Sequence, residues 1–161
     1  MFSLLTTFTL FITSTLAYVI LNVHSDNPTI NGQGIYAHTD LQAPYPTYLY
    51  LGFNLEFLYN KNHEALYYYP DGSSDYTFSL FVTDNGTLAM QEVSNFKSPL
   101  SVNITIAKGN GCVFFNGSSS LFAEKNVGSV FSEDTYALKT YPNGGAPAGA
   151  IPLTLIGKFS T

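Results

Sequence analysis

Apolar and polar residues alternate along this chain in short bursts, cut at close intervals by Gly, Asn, Asp and Pro. In Ser101-Val102-Asn103-Ile104-Thr105-Ile106 the apolar side chains fall on every second position, so one face of a strand is buried and the other is solvated. The same rhythm predicts strands over 18–23, 35–37, 48–51, 55–59, 65–69, 76–82 and 87–90. It continues over 101–106, 112–115, 121–123, 129–131, 135–138 and 151–159. Turn clusters separate these runs, among them Asn31-Gly32-Gln33-Gly34, Pro70-Asp71-Gly72, Asp84-Asn85-Gly86 and Asn116-Gly117-Ser118. No segment carries a convincing helical period.

The expected fold is all-β: a single antiparallel domain of about ten to twelve short strands. Two turn-centred pieces, Thr83-Asp84-Asn85-Gly86-Thr87-Leu88 and Phe115-Asn116-Gly117-Ser118-Ser119-Ser120-Leu121, are faintly alike, and Tyr69-Pro70-Asp71-Gly72 hints at a third copy. That threefold hint favours a β-trefoil-like barrel over a β-sandwich. Its core would be filled by an aromatic load of 12 Tyr and 13 Phe, without Trp.

The first seventeen residues do not fit the strand rhythm. An apolar, Thr-rich run from Leu4 to Leu16 is too short to span a bilayer. Thr15 and Ala17 place small residues three and one before a cut at Tyr18, so 1–17 reads as a secretory signal peptide. It lacks the usual basic n-region, since Lys61 is the first basic side chain. The expected organisation is a signal peptide over 1–17 and one extracellular all-β domain over 18–161.

Composition sharpens that picture. Charged residues make up 11% of the chain, less than half the usual ~25%. Ser, Thr, Asn and Gly supply the polarity instead, as suits an extracellular glycoprotein. A net charge of -5, with six basic residues scattered along the chain, excludes the clustered cations that nucleic acid requires. Cys112 is alone and lies in an apolar run, where a buried, inert thiol is expected and no internal disulfide can form. Three acceptors fit Asn-x-Ser/Thr: Asn85, Asn103 and Asn116. Asn85 and Asn116 fall in expected turns, and Asn103 faces away from Val102, Ile104 and Ile106.

No constellation for catalysis, cofactor or metal binding stands out. His24, His38 and His63 share no metal-ligand spacing. Asp71 and Asp75 bracket a short turn without the alternating oxygen ligands of a calcium loop. The run Tyr67-Tyr68-Tyr69-Pro70-Asp71 offers another chemistry. Alternation sets Tyr67 and Tyr69 on one face and Tyr68 on the other, and an exposed Tyr ring can stack on a sugar while Asp71 or Asp75 bonds its hydroxyls.

Several segments together resemble the cell-wall mannoproteins of budding yeasts, the group of GPI-linked and yeast-form wall proteins. They are the Thr-rich leader ending Thr15-Leu16-Ala17-Tyr18-Val19, the stretch from Ser25-Asp26-Asn27 to Gly34-Ile35-Tyr36, Leu49-Tyr50-Leu51-Gly52, Phe81-Val82-Thr83-Asp84-Asn85-Gly86-Thr87-Leu88 and Phe114-Phe115-Asn116-Gly117-Ser118-Ser119. The resemblance implies a non-enzymatic, mannosylated fungal wall component that affects adhesion and wall permeability. The ending Gly157-Lys158-Phe159-Ser160-Thr161 differs from the hydrophobic tail of anchored members, so a GPI anchor is not expected.

The leading expectation is therefore a secreted, N-glycosylated cell-wall or extracellular mannoprotein with a structural or adhesion-modulating role. Wall polysaccharide or surface glycans would be its partners, and the mature chain would have no membrane span. The alternative is a lectin-like module using Tyr67, Tyr68 or Tyr69 with Asp71 or Asp75. A wall-polysaccharide hydrolase, with an acid pair drawn from Asp71, Asp75, Glu133 and Asp134, is the third reading.

Overall fold

A computed structural model of the protein describes residues 16–39, 47–70, 77–93 and 102–160. Among these are twelve strands and one 3-10 turn. The strands are β1 Leu16–His24, β2 Gly34–Thr39, β3 Thr47–Gly52, β4 Glu56–Asn60, β5 Ala65–Tyr68 and β6 Thr77–Val82. They continue with β7 Leu88–Val93, β8 Ile104–Ile106, β9 Val113–Phe115, β10 Leu121–Glu124, β11 Ala137–Lys139 and β12 Ile151–Phe159. Every ladder among the described residues is antiparallel, both between neighbours in sequence such as β6 and β7 and between distant strands such as β1 and β12.

The all-β expectation stands, but the trefoil-like barrel does not. Ten strands form one sheet in the order β11-β10-β12-β1-β2-β3-β7-β6-β5-β4, with further pairings of β11 on β3 and β1 on β4. β8 and β9 make a separate two-stranded sheet, and the ten interlinked strands are not closed into a barrel. Where this small sheet meets the large one, isolated bonds replace ladders. Ile104 N–H donates to the Glu64 carbonyl at 2.6 Å, and Gly157 N–H donates to the Gly111 carbonyl at 2.8 Å. Glu64 (φ 49°) lies in the β4–β5 turn and Gly111 (φ 71°) in the β8–β9 turn, so each meets the other sheet as a left-handed turn residue offering one carbonyl. β8 and β9, three residues each, form a ladder only with one another.

One further expectation is corrected. Residues 129–131 do not form a strand, because Val130–Glu133 is a 3-10 turn. Ser132 N–H donates to the Ser129 carbonyl at 3.0 Å, and Ser132 Oγ accepts from Val127 N–H at 3.0 Å. Polar side chains thus satisfy a backbone that leaves the sheet.

β1 is the spine. Its residues Val19 to His24 pair with β12, while Leu16 to Ile20 pair with β4. Val19, Leu21 and Val23 point into the main core with Ile35, Leu49, Leu51, Phe57, Leu88 and Leu155. A second cluster lies on the other face of the β2–β3 hairpin, built from Tyr36, Tyr48, Tyr50, Ala89, Val127 and Ala137. A third, smaller one joins Leu58, Ala65 and Tyr67. No helix of the described residues is long and apolar enough to cross a membrane.

Candidate ligand-binding surface

The β2–β3 hairpin is buried on both faces, and strand alternation decides what each face holds. Ile35, Leu49 and Leu51 enter the main core, whereas Tyr36, Tyr48 and Tyr50 enter the second cluster. Register sets Tyr36 opposite Tyr50 and Gly34 opposite Gly52. The 3-10 turn lays Phe131 edge-on against Tyr50, with ring centroids 4.9 Å apart. The Tyr50 hydroxyl shares a hydrogen bond with Ser129 Oγ at 2.8 Å, which gives that buried ring a polar partner. His38 stacks on Phe131 at 4.1 Å.

Just past the end of β3, Phe53 leaves the cluster. It stacks on Tyr36 at 4.0 Å with an interplanar angle of 19°, yet stays 63% exposed. One face of the Phe53 ring is thus seated and the other is open. Two glycines make this possible. A Cβ on Gly52 would sit 2.7 Å from the Tyr36 ring, and a Cβ on Gly34 would sit 2.6 Å from the Phe53 carbonyl carbon and the Asn54 nitrogen. Asn54 lies over Gly34 and accepts on Oδ1 from Asn22 Nδ2 at 2.9 Å. That bond leaves Asn54 Nδ2 as a donor and Asn22 Oδ1 as an acceptor without partners among the described residues. Burial raises the Tyr36 phenol above its ordinary pKa, and a hydrogen bond with the Thr135 side chain partly offsets this. Tyr36 therefore stays neutral, a fixed base for the ring above it.

Searches of family models, curated proteins and solved structures returned no match to this chain. Geometry alone therefore speaks for the site.

The tyrosine run singled out by sequence lies elsewhere. Tyr67 is fully buried with Leu58 and Ala65, so it has no face to offer a sugar, which corrects its candidacy. Alternation within the run holds: Tyr69 packs on the Tyr67 cluster, while Tyr68 packs on the main core beside Phe57. Both are only half-buried. Asp71 and Asp75 lie outside the described residues. Glu133 and Asp134 are exposed neighbours at the end of the 3-10 turn.

Among the described residues no three His, Cys, Asp or Glu side chains converge as metal ligands. His24 lines an open groove of about 740 Å³ with Asp26, Phe122 and Pro152, and His63 meets Asn60 at 3.3 Å. Cys112 is half-buried instead of sealed. Its backbone bridges to Ile156, and its N–H donates to Asn110 Oδ1 at 3.0 Å.

All three sequon asparagines are exposed. Asn85 Oδ1 accepts from Thr87 N–H at 3.1 Å and Thr87 Oγ1 at 2.8 Å, which folds the sequon on itself and leaves Nδ2, the atom that carries a glycan, without a partner among the described residues. Gly86 (φ 85°) allows the turn, and its carbonyl accepts from Thr140 N–H at 2.8 Å. Asn116, at φ 49°, accepts on Oδ1 from Asn103 N–H at 2.8 Å and donates its own N–H to the Asn103 carbonyl at 2.8 Å. Asn103 and Asn116 are thus joined across the open end of the β8–β9 hairpin, just before β8 and just after β9.

Proposed function

We propose that this chain is a secreted, N-glycosylated extracellular protein that acts through its surface, without catalysis, as a structural or adhesion-modulating wall component. The observation that carries the reading is the placement of Asn85, Asn103 and Asn116. Each is exposed in or beside a turn, and at Asn85 and Asn116 the side-chain oxygen is tied down while the nitrogen has no partner among the described residues. Turns that tolerate bulk on one amide nitrogen are where glycans can be carried without cost to the core. The low charge fits the same reading, because attached sugars would supply solubility that ionic groups do not.

The signal peptide is compatible with the strand that follows it. A cut before Tyr18 removes the pairs Leu16↔Asn60 and Ala17↔Tyr59, but it spares Tyr18↔Leu58, Val19↔Phe57 and Ile20↔Glu56 and the whole ladder with β12. Mature β1 would remain the spine of the sheet.

The test is expression through a eukaryotic secretory pathway, with the medium probed before and after endoglycosidase. The expected outcome is a secreted band that collapses on digestion and loses one glycan's mass with each of Asn85→Gln, Asn103→Gln and Asn116→Gln that removes an occupied acceptor. An unglycosylated, cell-retained band would overturn the reading.

The lectin-like alternative loses Tyr67 but keeps a specific observation in its favour: the exposed ring of Phe53.

A further inference from the structure

We infer that Phe53, Asn54 and Asn22 form a binding site for a neutral pyranose, taken as one residue of a polysaccharide or oligosaccharide chain. This deepens the carbohydrate-binding alternative and is independent of whether the protein itself carries glycans.

A pyranose offers one face of C–H groups and a rim of hydroxyls. Recognition needs a flat apolar surface held at a fixed angle, with hydrogen-bonding groups at its edge. Phe53 supplies the surface. Its ring is seated on Tyr36 at 4.0 Å, and Tyr36 is itself buried against Tyr50 and Phe131. The platform is therefore built before any ligand arrives, so little side-chain freedom is lost on binding. The amide pair supplies the edge. With Asn22 Nδ2 and Asn54 Oδ1 bonded to each other, the two groups left over are one donor and one acceptor. A sugar hydroxyl, which donates and accepts at once, complements that pair. Neither amide is bonded to a charged group, so nothing there favours a carboxylated or phosphorylated sugar.

The other occupant to consider is a second copy of this chain. Phe53 and Val130 are the large apolar side chains left open in this region. Together they present at most a few hundred Å², well below the roughly 800 Å² per partner of a stable interface. An isolated, rigid ring suits a small ligand better than a protein face.

The experiment uses the full chain from residue 18, produced without glycans so that its own sugars neither compete nor contribute. Saturation-transfer NMR and affinity electrophoresis would be run against soluble mannan, β-glucan, chitin oligomers and galactan, with polygalacturonate as the charged probe. At least one neutral polymer is expected to bind. Phe53→Ala and Phe53→Leu should each weaken that binding by roughly tenfold, the leucine variant because it keeps bulk but loses the flat face. Asn54→Ala should weaken it by a smaller factor. Absence of neutral-sugar binding by the unsubstituted, folded chain would overturn the proposal. So would binding that Phe53→Leu leaves intact, preference for polygalacturonate, or a Phe53-dependent dimer in sedimentation with no sugar bound. None of these outcomes bears on secretion or sequon occupancy, which the endoglycosidase experiment reads separately.

Discussion

Tyr67, in β5, and Phe53, one residue beyond β3, are both large rings in aromatic stretches of sequence, yet one is sealed and the other lies open. Tyr67 is held between two ladders, opposite Leu58 on β4 and Ser79 on β6, and neighbours on both sides close over it. Phe53 has left its ladder at Gly52, so the ring of Tyr36 seats it on one face while 63% of the residue stays exposed. An aromatic residue in mid-sheet fills the core. The same kind of residue at a strand exit, above a glycine, becomes a platform. Position relative to the ladder thus decides between stability and recognition.

Truncating both rings puts the contrast under the greatest strain. Tyr67→Ala should cost about 3–5 kcal/mol, the range for deleting a fully buried ring from a packed cluster. Phe53→Ala should cost less than about 1 kcal/mol, because it removes one stacking contact and leaves no enclosed cavity. Urea unfolding of the two variants reads the difference directly. Equal losses would mean that Phe53 is part of the core and no platform exists.

A smaller effect is expected at the glycine beneath the platform. In Gly34→Ala the new methyl meets backbone atoms of Phe53 and Asn54, which cannot move aside as a side-chain tip can. The cost should be about 1–3 kcal/mol. It should come with loss of sugar binding, since the shift carries Phe53 and Asn54 with it. A variant as stable as the parent that still binds would show that the platform does not depend on glycine at that position.

The hydroxyl behind the platform comes next. Tyr50→Phe keeps the ring but strips Ser129 Oγ of its buried partner, at a cost of about 1–2 kcal/mol. Sugar binding should persist, because Phe53 rests on Tyr36 and not on Tyr50. Loss of binding without loss of stability would show that the ligand reaches further into the cluster than Phe53.

Much of the strand pattern is legible in the sequence. Val102 and Ile104 are buried and Asn103 and Thr105 exposed, as period two requires. Tyr67 and Tyr68 take opposite faces for the same reason. What alternation cannot tell is which faces are covered by a second layer. In the β2–β3 hairpin both are, so Tyr36 and Tyr50 are core although their alternation matches that of a half-exposed strand. Nor can it find the platform, because Phe53 reads as one more apolar residue after Tyr48-Leu49-Tyr50-Leu51. The local clue is the pair Gly34 and Gly52, whose pairing is a matter of register and not of sequence proximity. The barrel expectation fails because it rested on turns that look alike, and likeness of turns does not say which strands pair. The strand expected at Val130 fails differently, since Ser129 and Ser132 carry the bonds of the 3-10 turn and serine is at home in strands and turns alike.

Tyr141 stands between the sealed ring and the open one, and its effect is read in alkali. It packs edge-on against Phe122 at 5.3 Å, with Lys139 Nζ 5.2 Å from its ring centre. Its hydroxyl donates to Glu124 Oε2, and Lys139 Nζ lies 3.6 Å from Glu124 Oε1. Burial, then the hydrogen bond to Glu124, then the Glu124 charge push its pKa up from 10.0 to about 12. A raised phenol pKa means that the folded protein holds the proton more tightly than the unfolded chain. The resulting stabilisation is complete below pH 10 and is lost as pH rises towards 12. Tyr141→Phe has no proton to lose, so its unfolding midpoint should fall less steeply than the parent's across that window, while phenolate absorbance loses one late-titrating group. Because Tyr67 and Tyr69 are also raised by burial, both proteins should weaken in alkali. The difference between the two curves isolates Tyr141. Parallel curves would show that its hydrogen bond to Glu124 contributes nothing in solution, and that a half-covered ring at this surface behaves like the open one.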